Sequence, residues 1–480
     1  MYGYNPKSSK TWLIVKTEFY DAAKTLFPDI NVTSKGHRYL GSYIGSDDGK
    51  AEFVLNEIEQ WKQDVTGLAE IASSEPQLAY AGFVYGASKR WNFLARTTPG
   101  ISDLFYRLEY HIKEIFIPVL IGKLHVSEEL RKIFALPARM GGLSIANICH
   151  TAELEYENST LATKDLVDAI YNQENTFQLN ETKQKDAINE IKKNRQVFFD
   201  TYKSNLAKEL SSSVQRQLEL LSEKGASSWL TSLPLQEYGF LLNKQEFQDA
   251  ICLRYNLTLS SLNKPRLCVC GEPTTINHCL TCKLGGYVSL RHDSLKGTIA
   301  KLLEQVCKDT TVEPGLLSIT TEQLRKGTDT SDGARLDIST RGFWTPLDRA
   351  FTDVRVIHPQ AQSNANSSLY QMYRKHEMEK KNKYNDRVLQ VEKATFTPLV
   401  FSTTGGMGNE AVKFFMHLSE KISHKTGQSY SDTVAFVRRR LRFDLLKTCV
   451  ISLRGFRGKH NSKTPEMESL DLNLLPKAEY

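Results

Sequence analysis

The sequence has no long apolar run, which bears on whether the chain crosses a membrane. The longest such run, residues 115–121, has seven residues and contains Pro118. A helix that spans a bilayer needs about 20 apolar residues, so we expect no membrane-spanning helix. The first residues also lack an apolar core followed by a small-residue cleavage site, so no secretory signal is expected. The sequence therefore predicts an intracellular chain.

The chain also lacks the phosphate-binding loop of nucleotide hydrolases. A glycine-rich stretch, residues 402–408, lies between a predicted strand and a predicted helix, where backbone amides can meet a phosphate. It has no Gly-Lys-Ser/Thr, which disfavours an ATPase. Two interpretations stay open for this stretch: a contact with a DNA phosphate, or a plain turn.

Charge is distributed unevenly along the 480 residues. Residues 1–265 hold 30 basic and 32 acidic side chains, whereas residues 266–480 hold 32 and 23. This excess predicts that the C-terminal half binds a polyanion, although a solvated basic surface has the same composition. The densest basic stretch contains Arg438, Arg439 and Arg442 with phenylalanines interleaved, which is typical of a helix that contacts phosphates.

Four of the eight cysteines lie close together, and a histidine lies among them. Cys268, Cys270, His278 and Cys282 form the pattern C-x-C-x7-H-x3-C, and three thiolates with one imidazole can close a tetrahedral Zn²⁺ site. Cys279 is a competing ligand, so which four residues bind stays open, and a metal-free reduced hairpin is the alternative. Because a closed shell leaves no position for water, the predicted zinc is structural.

Apolar periodicity divides the chain into a mostly helical N-terminal half and an α/β C-terminal half. Near the N-terminus, strands at 11–15 and 39–44 flank a helix at 20–27. Helices are predicted over 51–160, and long, partly exposed helices over 160–230. After the cysteine cluster, a mixed sheet is predicted from a helix at 294–307, strands at 310–313, 334–339, 350–357 and 397–402, and helices at 368–393 and from 410.

Two aspartates fall on neighbouring predicted strands of this sheet. Asp337 and Asp353 are expected to converge at one sheet edge, where their charges repel and a divalent metal would stabilise the pair. The following helix places Lys380, Lys383 and Tyr384 on one face, so a lysine can join the site. The alternative is that the aspartates cap strand ends and the helix is merely solvated.

These residues carry a resemblance to a known family. The run 333–338, the run 353–356 and Lys380-x-x-Lys383-Tyr384 resemble the restriction-like endonuclease of site-specific non-LTR retrotransposons, a divergent PD-(D/E)xK nuclease. That family has its catalytic lysine on the helix after the third strand, where Lys380 stands here. Leu336 replaces the usual proline, Arg355 occupies the ordinary lysine position, and Lys375 and Lys383 are alternatives to Lys380.

The resemblance implies a multidomain organisation. Residues 46–49, Ser-Asp-Asp-Gly, mimic the aspartate pair of a polymerase, but they follow the Tyr-Leu-Gly segment that the family's catalytic pair precedes. The chain is therefore not expected to polymerise DNA by itself. The implied parts are a reverse transcriptase palm remnant at 1–45, a thumb-like helical domain at 46–160, a helical linker at 161–264, a zinc knuckle at 265–292, the nuclease at 293–460 and a flexible tail at 461–480.

The function that the resemblance implies is nicking of target DNA to prime reverse transcription. Asp337 and Asp353 would hold Mg²⁺ or Mn²⁺, Lys380 would assist, and double-stranded DNA and element RNA would be the partners, met in the nucleus. The alternatives are a catalytically inactive nucleic-acid-binding module and a decayed retroelement fragment. The expected nucleic-acid contacts are Arg335, Arg355, Lys383, Tyr384, Arg438, Arg439 and Arg442.

Overall fold

The computed structural model describes residues 7–174, 176–259, 267–364 and 367–455. The predicted tail at 461–480 and the first six residues of the predicted palm remnant lie outside these ranges. Within them the chain is mostly helical, and no described helix is long and apolar enough to cross a membrane. The chain forms two compact units: Met1–Pro137 with Gly142–Leu210, and Ala138–Gly141 with Ser211–Tyr480.

The first unit begins with two small pairs of strands. Strand β1 (Trp12–Ile14) pairs in parallel with β2 (Asn31–Thr33) across helix α1 (Tyr20–Leu26). The strand predicted at 39–44 is instead a hairpin of β3 (Gly36–Tyr39) and β4 (Ser42–Gly45). Leu40 and Gly41 both have positive φ angles, 49° and 85°. They form a two-residue turn whose twist matches that of the two strands. This turn divides the run that the sequence predicts as a single strand.

Helices form the rest of the first unit. Helix α2 (Asp47–Ala72) begins after Ser46, whose hydroxyl accepts a hydrogen bond from the Gly49 amide. The Ser-Asp-Asp-Gly run is therefore a helix start, with both carboxylates near the positive end of the helix dipole. The helices that follow in this unit are α3 (Pro76–Ala81), α4 (Ser88–Thr97), α5 (Tyr106–His111), α6 (Ile117–Ile121), α7 (Glu128–Ala135), α8 (Ile148–Tyr171) and α9 (Glu181–Glu209).

A buried ion pair joins two helices of this unit. Arg131 of α7 donates from Nε and Nη2 to the Glu109 carboxylate of α5, at 2.6 and 2.8 Å. Its third nitrogen donates to the Ile145 carbonyl at 2.8 Å. Every charge of this pair thus has a partner in the interior, which is the condition under which a buried ion pair is tolerated.

The second unit contains a four-stranded mixed sheet, as the sequence predicts. The strands lie in chain order, with β5/β6 and β6/β7 antiparallel and β7/β8 parallel. The strands are β5 (Lys308–Val312), β6 (Ile338–Arg341), β7 (Arg349–Ile357) and β8 (Thr395–Ser402). The helices are α10 (Ser212–Leu221), α11 (Lys244–Tyr255), α12 (Ile276–Thr281), α13 (Tyr287–Glu304), α14 (Leu369–Gln390), α15 (Asn409–Thr426) and α16 (Tyr430–Arg454).

Helices cover both faces of this sheet. Side chains alternate along a strand, so Val354 and Leu399 pack on one face with α13, α15 and α16. Phe351 and Val400, on the other face, pack against α14. Helix α14 is also the crossover between the parallel strands β7 and β8, and this crossover carries the predicted lysine across a face of the sheet to Asp353 in the middle of β7.

Candidate functional site

The first half of the cysteine cluster lies on a tight turn. The Cys268 amide donates to the Glu272 carbonyl at 2.9 Å, and the Gly271 amide donates to the Cys268 carbonyl at 2.8 Å. Gly271 has a φ of 91°, a conformation that favours glycine. This turn brings the Cys268 and Cys270 side chains to the same place.

The second half of the cluster is built on α12. The Thr275 hydroxyl caps this helix by accepting from the His278 amide at 3.1 Å. Cys282 follows the last turn and ends the helix. His278 and Cys282 are four residues apart and so lie on one side of the helix, facing the turn that carries the other two ligands.

The four ligand atoms are arranged to hold a metal ion, because all lie within 4.8 Å of one another. The Cys268 and Cys282 sulfurs are 3.8 Å apart, and the Cys270 sulfur is 3.4 Å from His278 Nε2. A tetrahedral ion with metal–sulfur bonds of about 2.3 Å and a metal–nitrogen bond of about 2.05 Å requires separations of about 3.8 and about 3.6 Å. The Cys268–Cys282 and Cys270–His278 separations are therefore close to those of a tetrahedral ion, and the whole set, which spans up to 4.8 Å, would contract slightly around it.

The structure decides against the competing ligand. The Cys279 side chain is only 2% exposed and packs in an apolar cluster with Cys252, Leu259 and Leu453. Cys268, in contrast, is prepared for ligation. Burial raises the pKa of its thiol, but hydrogen bonds from the Cys270 amide and His278 bring it down to about 6. A thiolate is the form that binds metal.

The two predicted aspartates lie near each other where strand β6 begins, close enough that the Asp337 charge acts on Asp353. Ile338, the first residue of β6, is opposite Thr352 of β7, and the two aspartates are the next residues on either side of this pair. Asp337 lies just before β6, and its Oδ2 accepts from the Val354 amide at 2.6 Å. Backbone contact therefore fixes Asp337, and the register fixes Asp353.

Lys380 reaches the same place from α14. It forms an ion pair with Asp353, whose side chain is 7% exposed. Burial raises the pKa of Asp353, the Lys380 ammonium opposes this shift, and the Asp337 charge adds to it. The neighbouring Lys381 lies on another face of the helix, where it pairs with Glu410 at 2.8 Å. The structure thus brings Asp337, Asp353 and Lys380 together and leaves Lys381 out.

His292 also belongs to this group, and sequence reasoning missed it. Its Nε2 lies 3.1 Å from Asp337 Oδ2 and 3.2 Å from the Val354 carbonyl. Burial lowers the pKa of His292, but hydrogen bonds to Asp337 and Asp293 raise it to about 9 overall. No local pattern marks this histidine, because its role depends on how α13 packs against the sheet.

The predicted nucleic-acid contacts divide into two groups. Arg335 is exposed. Arg355 and Lys383 are partly exposed, and each forms an ion pair: Arg355 with Glu379 at 2.6 Å, and Lys383 with Asp329 at 3.3 Å. Arg438 and Arg439 are half-buried on α16. Lys383, the alternative catalytic lysine, is thus paired away from Asp353, and the other alternative, Lys375, is exposed on α14.

Two of the predicted contacts are buried instead. The Tyr384 ring packs in the core beside Phe396. Arg442 is 6% exposed and donates to the carbonyls of Ala226 and Thr403, at 3.1 and 3.3 Å. Neither side chain is presented to a phosphate, so we leave both out of the proposed nucleic-acid contacts.

The glycine-rich turn is a packing element. The amides of Gly405 and Gly408 donate to the carbonyls of Ser402 and Val400, both at 2.9 Å, and the Gly406 amide donates to the Ser402 hydroxyl. A side chain at Gly406 would approach Glu223 within about 2.3 Å. These amides already donate hydrogen bonds to groups of the protein itself, which favours the plain turn over the phosphate contact.

Two comparisons with known proteins bear on this chain. No protein-family model matches it, and no curated protein is similar enough to count as a match. Any functional conclusion therefore depends on the geometry described above.

Proposed function

We propose that this chain is a divalent-metal-dependent DNA endonuclease, the nuclease part of a retroelement protein. The observation that carries the proposal is the meeting of Asp337, Asp353 and Lys380, two carboxylates and one ammonium, from three separate elements of the second unit. Such a group suits phosphodiester hydrolysis, in which negative charge builds on the phosphate.

The donor set fits Mg²⁺ or Mn²⁺. Both ions prefer oxygen ligands, and burial together with the nearby Asp337 charge raises the pKa of Asp353, so a cation there would stabilise the Asp353 carboxylate. A bound divalent ion would supply an acidic water and neutralise charge on the phosphate. In this proposal Lys380 orients the attacking water or offsets the charge of the transition state, and the Val354 amide keeps Asp337 aimed.

We further propose that the ion at Cys268, Cys270, His278 and Cys282 is structural Zn²⁺. Three sulfur ligands and one imidazole are a typical zinc set, and the four ligands leave no open position for substrate. In this proposal the partner is double-stranded DNA in the nucleus, nicked to prime reverse transcription, with element RNA as a second partner.

A plasmid-nicking assay tests the nuclease. We expect conversion of supercoiled to open-circular plasmid with Mg²⁺ and none in excess EDTA. Asp353→Asn should abolish nicking, whereas Asp348→Asn, which alters a carboxylate in the β6–β7 connection, should leave it unchanged. Nicking that persists in EDTA, or in Asp353→Asn, would overturn the proposal.

One observation favours the alternative of a catalytically inactive nucleic-acid-binding module. Asp353 already has Lys380 as a counter-charge, so the pair is stable without a metal. The same assay separates the two functions. A protein that binds DNA but never nicks it with Mg²⁺ or Mn²⁺ is the binding module.

A further inference from the structure

A cavity of about 290 Å³ lies on the second unit, and none of its lining residues belongs to the aspartate–lysine site. Three separate segments form it: the short turn Ala138–Met140, the connection 222–231 after α10, and one face of α16. We call it the basic cavity, because it is lined by Arg139, Lys224, Arg438 and Arg439.

These four cations have no counter-charge of their own. Within the described part of the chain, no salt bridge involves any of them. Glu223 is the one carboxylate among the lining residues, and burial raises its pKa to about 7, so its charge is incomplete at neutral pH. Like charges around one cavity repel unless an anion joins them, so the arrangement is most stable with an anionic ligand.

The three segments are held together by buried hydrogen bonds. Arg442, one helical turn beyond Arg438, donates to the Ala226 carbonyl and so fixes α16 against the connection. Ser227 and Arg254 both donate to the Ala138 carbonyl, at 2.6 and 3.2 Å, and so fix the turn that carries Arg139. The backbone segments that carry the cations are therefore in place before any ligand arrives, which lowers the entropic cost of binding.

Positive charge continues beyond this cavity. Lys224 and Arg438 also line a smaller cavity of about 30 Å³ together with Met407. Met407 in turn lines a third cavity, of about 230 Å³, where the cations Arg374, Lys381 and Lys413 lie beside Glu377 and Glu410. The uncompensated cations therefore line the basic cavity and the smaller one next to it, and two adjoining cavities suit an extended polyanion better than a compact phosphate.

We infer that the basic cavity binds the phosphodiester backbone of a nucleic acid, at a place distinct from the aspartate–lysine site. Arginine and lysine side chains that contact phosphates hold a strand in place without reading its sequence. The inference rests on the proposed function only in taking a nucleic acid as the ligand. It is measured by binding, not by cleavage, so the two can fail separately.

The test is the salt dependence of binding to a labelled 25-base-pair duplex, measured by anisotropy in the full chain without added divalent ions. Arg139→Gln/Lys224→Gln and Arg438→Gln/Arg439→Gln each remove two cations from the cavity. Lys244→Gln/Lys308→Gln is the matched control, since both lysines are exposed in the same unit and neither lines the cavity.

The plot of log K against log salt has a negative slope, and each cavity variant should make it shallower by about 1.8, which is about 0.9 for each lost phosphate contact. Each variant should also bind the duplex on the order of tenfold more weakly at 0.1 M salt. The control should keep the wild-type slope. Cavity variants that bind with the wild-type slope, while melting at the wild-type temperature, would overturn the inference. Equally, inorganic pyrophosphate that displaces the duplex at micromolar concentration would identify a compact phosphate as the ligand and overturn it. A wild-type protein that never nicks plasmid, while its cavity variants still bind duplex more weakly as expected, would count against the proposed function alone.

Discussion

Replacing one cysteine of the cluster at a time should separate metal binding from packing. Cys282→Ser removes a sulfur that lies 3.8 Å from the Cys268 sulfur, so it should remove a zinc ligand. Cys279→Ser alters a cysteine three positions earlier, whose side chain packs in an apolar cluster. We expect one zinc per wild-type chain, a weakened site in Cys282→Ser, and a fully loaded site in Cys279→Ser.

The two variants should fail in different ways. Structural zinc in small domains binds with about 10–16 kcal/mol, so each of four ligands accounts for about 3 kcal/mol, and loss of one weakens binding on the order of 100-fold. Cys279→Ser instead places a hydroxyl in apolar surroundings, which costs about 1–3 kcal/mol of folding stability. Metal affinity should therefore fall in one variant, and the free energy of unfolding of the loaded protein in the other.

Chelator competition measures the affinity, and X-ray absorption at the zinc edge identifies the ligands. The spectrum should fit three sulfurs at about 2.3 Å and one nitrogen at about 2.0 Å. A four-sulfur shell, or zinc lost as readily from Cys279→Ser as from Cys282→Ser, would refute the reasoning. It would mean that Cys279 leaves its apolar cluster to bind the ion.

Three further predictions concern charged side chains. Lys380→Ala should lower the nicking rate on the order of 100-fold or more, because it removes a charge beside the reacting phosphate, while Lys381→Ala should stay within a few-fold in the same assay. Arg131→Met leaves Glu109 buried without its partner, so urea unfolding should show a loss of about 3–5 kcal/mol in the first unit, and equal stability would contradict this. Burial raises the pKa of Glu223 from 4.5 to about 7, so the stability it contributes is complete below pH 4.5 and lost as the pH rises through 7. Between pH 5 and 7, the free energy of unfolding of the wild type should therefore fall by about 1.4 kcal/mol per pH unit relative to that of Glu223→Gln. Plots of unfolding free energy against pH that run parallel for the two proteins would contradict this.

Three of the four strands of the second unit's sheet could be predicted well from the sequence, whereas the strand expected at 334–339 is observed at Ile338–Arg341, so Asp337 lies before it and not on it. Strands expected at 350–357 and 397–402 are observed at Arg349–Ile357 and Thr395–Ser402. Both are apolar runs that end at strong breaks, His358-Pro359 in one case and a glycine turn in the other. The cysteine choice could not be read from spacing, because Cys279 lies about 100° from His278 around the helix but only about 60° from Cys282.

Side-chain environment was harder to predict than secondary structure. Helix α16 is buried along most of its length, so its sequence does not tell which arginine faces solvent, and Arg442 faces the interior. Tyr384 follows the exposed Lys383 in the sequence, yet its ring lies on the buried side of α14 and packs against Phe396. The place of His292 depends on long-range packing that no local pattern reveals. Arg139 and Lys224 meet Arg438 only because three distant segments fold together.

The packing of α12 has a consequence for the order in which this protein folds on the ribosome. Cys279 and Leu280 of this helix contact Leu453, Leu445 and Cys449 of α16, which are made long after the metal ligands. The nascent chain can bind its ion early, but the apolar side of α12 stays uncovered until α16 leaves the exit tunnel. A chain that terminates before Leu445 would keep this surface exposed.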